Sequence, residues 1–492
     1  MADAGITRSG PPRRSRDLIH GPIAATLLAF ALPTLGSSIL QSLNGSINAM
    51  WVGRFLGEEA LAATANGNIV MFMLLAFVFG FGMASTILIG QAFGRRDLDG
   101  ARRIIGTAIG SFVLIAAAIA LIGWLFAPQI LALLGTPPAA SAFALSYLRV
   151  IFAAIPAALM LTMLMMALRG SGDSLTPLWF MGLSVALDSG LNPIFIRGLG
   201  PIPALGIGGS ALATAVANYV SLAALLAYMY VRDLPLRLRG HELAYLRPDP
   251  ALLKIIVRKG VPMGLQMIVI TTSALAMLTL VNKEGLDTTA AYGVTQQLWT
   301  YVQMPAMALG AAVSTMAAQN IGAGNWDRVS AITRVGVGFN FLLTGALIIL
   351  LTLADRTALG IFLGAGSPAL PVARHIQLIA TWGYIFFGVS LVLFGTVRAN
   401  GQVVWPLIIL FISMYPVRLG VALGAYDWLG SDALWLSFPF GMVATSIMAT
   451  ALYLHGGWRR SRMAPADCPD ENECVEQAES SREPGGALSP AG

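Results

Sequence analysis

The chain has 492 residues and a formal net charge of +6; 56% of its residues are hydrophobic and only 11% are charged. With the 53 glycines added, the apolar share reaches roughly two thirds, against about 45–50% in soluble domains, where about a quarter of residues are charged. So few charges cannot cover a water-soluble surface of this size. That excludes a disordered chain, a disulfide scaffold and a secreted or ordinary cytosolic enzyme, and leaves a polytopic membrane protein.

The amino tail, residues 1–20, holds Arg8, Arg13, Arg14 and Arg16. No short apolar run with a small-residue cleavage site follows it, so no removable signal peptide is expected. A window of about 19 residues then finds twelve apolar spans, near 22–52, 62–91, 103–127, 139–168, 174–197, 205–231, 254–282, 287–318, 331–353, 367–398, 402–424 and 432–455. Each can cross a hydrocarbon core of about 30 Å, and the longer ones must tilt. Only helices fit, because the spans exceed barrel strands and lack period-two alternation. The expected fold is all-α, with two six-helix bundles, 21–231 and 254–455, joined by a connection at 232–253. The tail, 456–492, turns acidic and rich in Ser, Pro and Gly from about 464. Such a segment cannot offset chain entropy by burial, so disorder is expected. Its Cys468 and Cys474 have no histidine nearby and read as incidental thiols, not as a metal pair.

Basic residues orient the chain. The amino tail, residues 92–103, Arg169, the 232–259 stretch, Arg328, Arg334, Arg398 and the carboxyl tail together hold 23 of the 30 Lys and Arg. By the positive-inside rule that side is cytoplasmic and both termini are inside. Lying between spans and not on one face, these charges read as topology signals, not as a nucleic-acid surface.

The two halves repeat. GQAFGRRDLDGARR after span two matches AQNIGAGNWDRVSA after span eight, pairing Gln91 with Gln319 and Gly94 with Gly322 at an offset of 228. LRGSGDSLTPL after span four matches VRANGQVVWPL after span ten at an offset of 229, as do Pro33 and Pro262. Six spans per half give both halves the same orientation, with a pseudo-twofold axis along the membrane normal. Two such bundles facing each other enclose a central cleft that can open to either side, which is transporter architecture.

At these residues the chain resembles the multidrug and toxic compound extrusion family over residues 20–455, and most closely its prokaryotic branch named for a DNA-damage-inducible member. The resemblance also rests on NAMWVGRFLGEEALAA after span one and on LNPIFIRGLG followed by GGSALATAVAN at spans five and six. It implies secondary active export, driven by inward H⁺ or Na⁺, of amphipathic and often cationic compounds. Two positions depart from the family pattern. Asn48 stands where members commonly carry a span-one Asp, and span five has Asp188 before Asn192 where the reverse order is common. The usual carboxylate pair is thus one carboxylate, displaced by a helical turn.

Independently of any family, the intramembrane polar residues sort by helical spacing. Span one carries Ser37, Gln41, Asn44 and Asn48; span five Ser184, Asp188 and Asn192; span six Ser210, Thr214 and Asn218. Each set shares one helix face. Amides facing lipid would go unsatisfied, so the stripes should face the bundle interior or water, either as a polar chamber or as interhelical glue. Of the 24 acidic residues, Asp188 alone lies well inside a span, at a cost of at least about 2.5–3.5 kcal/mol. It can carry a proton, or bind Na⁺ with the side-chain oxygens of Asn48, Asn192 and Thr214. A static ion pair with Arg149, which enters span four at similar depth, is the competing reading. Gln41, Asn44, Ser184 and Asn218, with Gln266 of span seven and Gln296 and Thr300 of span eight, are the candidate substrate-cavity residues. Arg418, inside span eleven near the position matched to Asp188, is a candidate gating, ion-pair or anion-binding residue. The competing reading for Arg418, Arg374 and His375 is snorkelling to the headgroups.

No cofactor or bound metal is expected, only H⁺ or Na⁺ as the transported ion. The four histidines are scattered, and no HExxH, GxSxG, intramembrane acid pair or Walker loop occurs, which argues against an enzyme or direct ATP drive. The expected protein is an ion-coupled exporter of amphipathic small molecules, a monomer in the lipid bilayer of the bacterial inner membrane. A flippase for a lipid-linked precursor is the alternative.

Overall fold

The computed structural model describes residues 17–133, 138–198, 203–364 and 366–463, and of 57–75, 77, 133, 138–140, 142 and 143 the backbone alone. The expected disorder from 464 onward lies outside the described residues. In chain order the helices are α1 (Ile23–Gly94), α2 (Leu98–Leu125), α3 (Ala127–Leu133), α4 (Pro138–Gly170), α5 (Leu175–Arg197), α6 (Gly206–Val231), α7 (Pro250–Val281), α8 (Leu286–Gly322), α9 (Trp326–Leu353), α10 (Asp355–Leu363), α11 (Ala369–Ala380), α12 (Gly383–Ala399), α13 (Val404–Ile412), α14 (Arg418–Gly424), α15 (Tyr426–Leu429) and α16 (Asp432–His455). Carboxylates start several of them. Asp97 accepts from the Gly100 amide, Asp173 from those of Leu175 and Thr176, and Asp249 from that of Ala251, each satisfying donors that a helix start leaves unpaired.

Among the described residues, nine helices are long and apolar enough to cross a membrane, and the pair α11–α12, bent by 47°, makes a tenth. The remaining two of the twelve spans are the second leg of α1, described as an apolar helix from Val78 to Gly94, and α8. The polar stripe of α8, with Thr295, Gln296, Thr300 and Gln303, lowers its hydropathy although its 37 residues are ample. Where a loop was expected near 53–61, helical backbone runs on. At 1.5 Å per residue, a straight helix of 72 residues would reach about 108 Å. Yet the Leu18 carbonyl bonds Asn320 at one end, and Gly94 lies against Gln319 at the other. Both ends of α1 therefore meet the same end of α8, and the chain reverses between its two legs.

The repeat is visible in the backbone. Short helices α3 and α10, neither expected, begin 228 residues apart after spans three and nine. Gly172 and Gly401, with φ of 95° and 86°, close spans four and ten in the left-handed region where a side chain is strained. One core gathers around Phe81, Phe112 and Phe152 of the first half and runs on into the second at Met263, Ala317 and Val397; the other lies in the second half around Tyr292, Trp299 and Trp435. A smaller cluster of Leu27, Phe30, Leu309, Val313 and Met316 joins the first leg of α1 to α8.

The connection packs on the first half: its turn Gly240–Leu246 lies on α2, with Arg102 bonded to Glu242 at 2.6 Å and the Tyr245 hydroxyl donating to Asp99 at 2.8 Å. That hydrogen bond raises the pKa of the Tyr245 phenol above its ordinary value. The tail is ordered past 456: Trp458 is 1% exposed, stacks on Tyr453 at 5.5 Å, and gives its carbonyl to Asn400 at 2.9 Å. A large indole with a partner is enough to hold the segment that composition alone assigned to the disordered tail.

Candidate functional site

The three polar stripes of the first bundle meet. Asp188 on α5 is 2% exposed and Asn192, one turn on, is fully buried. The Asn192 amide donates to the Asp188 carboxylate at 3.2 Å, and the Thr214 hydroxyl of α6 donates to the same oxygen at 3.0 Å. Asn44, from the first leg of α1, hydrogen-bonds the carboxylate from the third side. A turn further along, Ser210 donates to the Asn48 amide oxygen at 2.7 Å, and Asn48 also bonds the buried Tyr147 of α4. Ser184 reaches Asn218 at 3.4 Å. Gln41 is exposed and takes no part in this network.

This cluster is rich in acceptors and short of donors. The Asn44 and Asn192 side-chain oxygens are buried with no hydrogen-bond partner. Among the described residues no Lys, Arg or His pairs with Asp188. The expected alternative, a static bridge to Arg149, is not formed: its guanidinium lies over the Trp124 ring of α2 at 5.0 Å. The reason is angular. Two residues along a helix turn it by about 200°, so Tyr147 faces Asn48 while Arg149 faces away. Tyr147 was not among the candidates; its signal was a lone phenol, two residues from an arginine, in an otherwise apolar span.

The second bundle is arranged differently. Gln266 does not line an open cavity: it is buried, donates to the Val403 carbonyl at 3.1 Å, and accepts from Arg398. A glutamine with both ends engaged between helices is interhelical glue. Gln296 and Thr300 are half-buried on one face of α8, and the Thr300 hydroxyl returns to the Gln296 carbonyl at 3.1 Å. Arg418 is 7% exposed, too buried for snorkelling, and no acid pairs with it among the described residues. Arg374 and His375 instead pair with Asp355 and Asp432, each at 2.7 Å. Trp299 fixes the bend of span ten by donating to Thr381 at 2.8 Å.

The bundles are tied together at one end. The Gln91 amide donates to the Ala399 carbonyl at 2.7 Å, and Gln319 donates to Gly170 at 3.0 Å, the same bond given by each half to the other. Cβ atoms on Gly94 and Gly322 would run into the backbone of Gln319 and Gln91 respectively, so only glycine permits this approach. Among the described residues, the side-chain hydrogen bonds between the halves all lie here.

Comparison with known proteins agrees with the twofold repeat. The MatE family model matches twice, at residues 33–194 and 262–423, segments offset by the same 229 residues as Pro33 and Pro262. The chain is 36% identical over 436 residues to the probable multidrug resistance protein YoeA of Bacillus subtilis, covering 88% of this chain and 94% of that one. It is 28% identical over 459 residues to YpnP of the same organism, also named a probable multidrug resistance protein, covering 92% and 99%. The structure of a multidrug resistance MATE family transporter in an outward-facing conformation superposes with a TM-score of 0.84 over 92% of this chain and 100% of that one, at 19% identity. Twelve spans, a twofold repeat and two matches to one family model make this chain a member of the multidrug and toxic compound extrusion (MATE) family, whose members are membrane transporters and not enzymes.

Proposed function

We propose that the chain is an ion-coupled exporter of amphipathic small molecules, antiporting substrate against H⁺ or Na⁺ by alternating access, with Asp188 as the coupling group. The observation that carries this reading is the oxygen cluster around Asp188: a buried carboxylate beside two amide oxygens that lack donors, with no cationic side chain paired to it among the described residues. A proton on the carboxylate, or Na⁺ among Asp188, Asn44, Asn192 and the Thr214 hydroxyl, neutralises the site and relieves its unmet acceptors. Occupied and empty states then differ by a buried charge, enough to bias which way the bundles pack.

The end closed by Gln91 and Gln319 is read as cytoplasmic, because the basic loops lie there, with both termini inside and the cleft opening outward. Rocking about that end moves the cleft from one side to the other. One carboxylate suits one ion per cycle. A membrane potential supplies about 2.3 kcal/mol per charge per 100 mV, and a pH unit adds about 1.4 kcal/mol, enough for a substantial gradient of a neutral substrate.

The test is transport by the full chain in proteoliposomes under imposed pH or Na⁺ gradients, with ethidium and 2-naphthoate as probes, wild type beside Asp188→Asn. The expected result is gradient-driven transport by wild type and none by the variant, which still elutes as folded protein. Normal transport by Asp188→Asn removes Asp188 from the role, and a requirement for two ions per substrate removes it as the sole coupling site.

A further inference from the structure

Arg418 in the second bundle carries a charge that the fold leaves unanswered. Its guanidinium presents five N–H donors in a planar fork and does not deprotonate. Those donors find the Tyr292 hydroxyl and the Met414 sulfur, 3.8 Å away, and a thioether is a weak acceptor. The Nε atom, buried, has no partner at all. The group lies 3.8 Å over the Phe438 ring, a contact that offsets only part of the cost of taking a full charge out of water.

Two further features surround it. Immediately before Arg418 the chain winds through a π-helical turn, Ser413–Val417, and the buried Ser413 hydroxyl is also without a partner. Such turns recur at functional sites. Gln296, one turn from Tyr292 on the same face of α8, is half-buried, and its side-chain amide makes no hydrogen bond among the described residues.

We propose that Arg418, with Tyr292 bonded to it and Gln296 one turn further along α8, is a subsite for the carboxylate or phosphate group of an organic anion. An anion supplies what the fork lacks, namely two oxygens in one plane and a compensating charge. The rings alongside are buried and closely packed, Trp299 to Phe438 at 4.8 Å and Trp299 to Tyr384 at 5.5 Å between centroids, and keep the charge in a low-dielectric surrounding where a paired anion is held strongly. The inference deepens the exporter reading by naming a substrate class. It rests on that reading only for transport, because binding needs no gradient.

The experiment is equilibrium binding of radiolabelled 2-naphthoate and 2-naphthyl phosphate to the purified full chain in detergent, with neutral 2-naphthylmethanol as competitor. Wild type is expected to bind at least one anion saturably and to be displaced poorly by the alcohol. Preference for the phosphate points to a headgroup-like or phosphorylated substrate, preference for the carboxylate to an organic acid, and either supports the subsite. Arg418→Met keeps the side-chain volume, removes the charge, and should weaken binding at least tenfold. Gln296→Ala should weaken it about threefold, and still reports should the first variant not fold. No saturable anion binding by wild type, displacement by the alcohol as effective as by the anion, or binding unchanged in both variants overturns the proposal.

Discussion

Deep in the first bundle lies the carboxylate of Asp188, held by donors from three helices and left with spare oxygens around it. Deep in the second lies Arg418, close to the matched position in the repeat, seated among aromatic rings and left with spare N–H groups. The ends where the halves touch behave in the opposite way: Gln91 and Gln319, Gly94 and Gly322, Gly170 and Ala399 exchange the same contacts. Symmetry is kept where two surfaces must close on each other, because each half is the other's template there. Inside each bundle no such constraint acts, and the two interiors have taken charges of opposite sign. One is suited to a small cation, the other to an anionic group.

The largest effects should come from breaking the shared contacts. A side chain at Gly94 or Gly322 meets backbone that cannot swing aside. Overpacking of that kind typically costs 1–3 kcal/mol, occasionally more. Gly94→Val and Gly322→Val should each disfavour the closed end by about 3 kcal/mol and lower its population about a hundredfold. Spin-label distances across that end read this directly, and a tenfold difference between the two variants would break the symmetry argument.

The interiors should respond with opposite signs. Arg418→Met exchanges an unpaired buried charge for an apolar side chain of similar length, and should raise thermal stability in detergent by about 2 kcal/mol. Asp188→Leu removes one acceptor from each of the Asn192 and Thr214 donors, which keep the Asp188 and Ser210 carbonyls, and should lower it by about 1 kcal/mol. Two shifts of the same sign would mean that the bundles do not differ as described. Within the first bundle, Thr214→Val keeps the shape and removes one donor to the carboxylate. A hydrogen bond to a charged group is worth about 1.5–3 kcal/mol and favours the ionised carboxylate, so Na⁺-driven transport, which loses the Thr214 oxygen as a ligand, should need about tenfold more Na⁺, whereas H⁺-driven transport should need no more protons than wild type. Ser184→Ala, whose one bond is 3.4 Å long and ends on Asn218, should change either requirement less than threefold.

What the sequence made legible follows from the range of its signals. Twelve spans are a matter of mean hydropathy over about 19 residues, and that average survives any detail of packing. The stripes on spans one, five and six are local periodicities, so Asn44, Asn48, Asp188 and Thr214 could be put on facing surfaces before their contacts were known. Helices α3 and α10, of 7 and 9 residues, fall beneath such a window. Partner choice is hidden for another reason. Gln266 reads as a cavity amide until Arg398, 132 residues away, takes its oxygen, and Arg149 reads as a partner for Asp188 until its rotation about α4 is known. Tyr292 was one turn from Gln296 and extends the α8 stripe by one more position. That phenol is the residue that meets Arg418.

Gln91 and Gln319 give the finest test of the comparison, because the repeat paired them at 228 residues before any contact could be assigned. Each donates one neutral hydrogen bond to a carbonyl of the other half, at 2.7 and 3.0 Å. A bond of this kind contributes about 1 kcal/mol net. Gln91→Ala and Gln319→Ala should therefore each shift the closed population about fivefold, and the double variant about twenty-fivefold if the two bonds act independently. Both bonds, however, span one interface and open together. Once the first is lost, the glycine contacts at Gly94 and Gly322 still hold the ends in register, so near-additivity is expected. A double variant no worse than either single one would mean that one bond forms only when the other does, and the closed end would then be a single latch and not two equal halves.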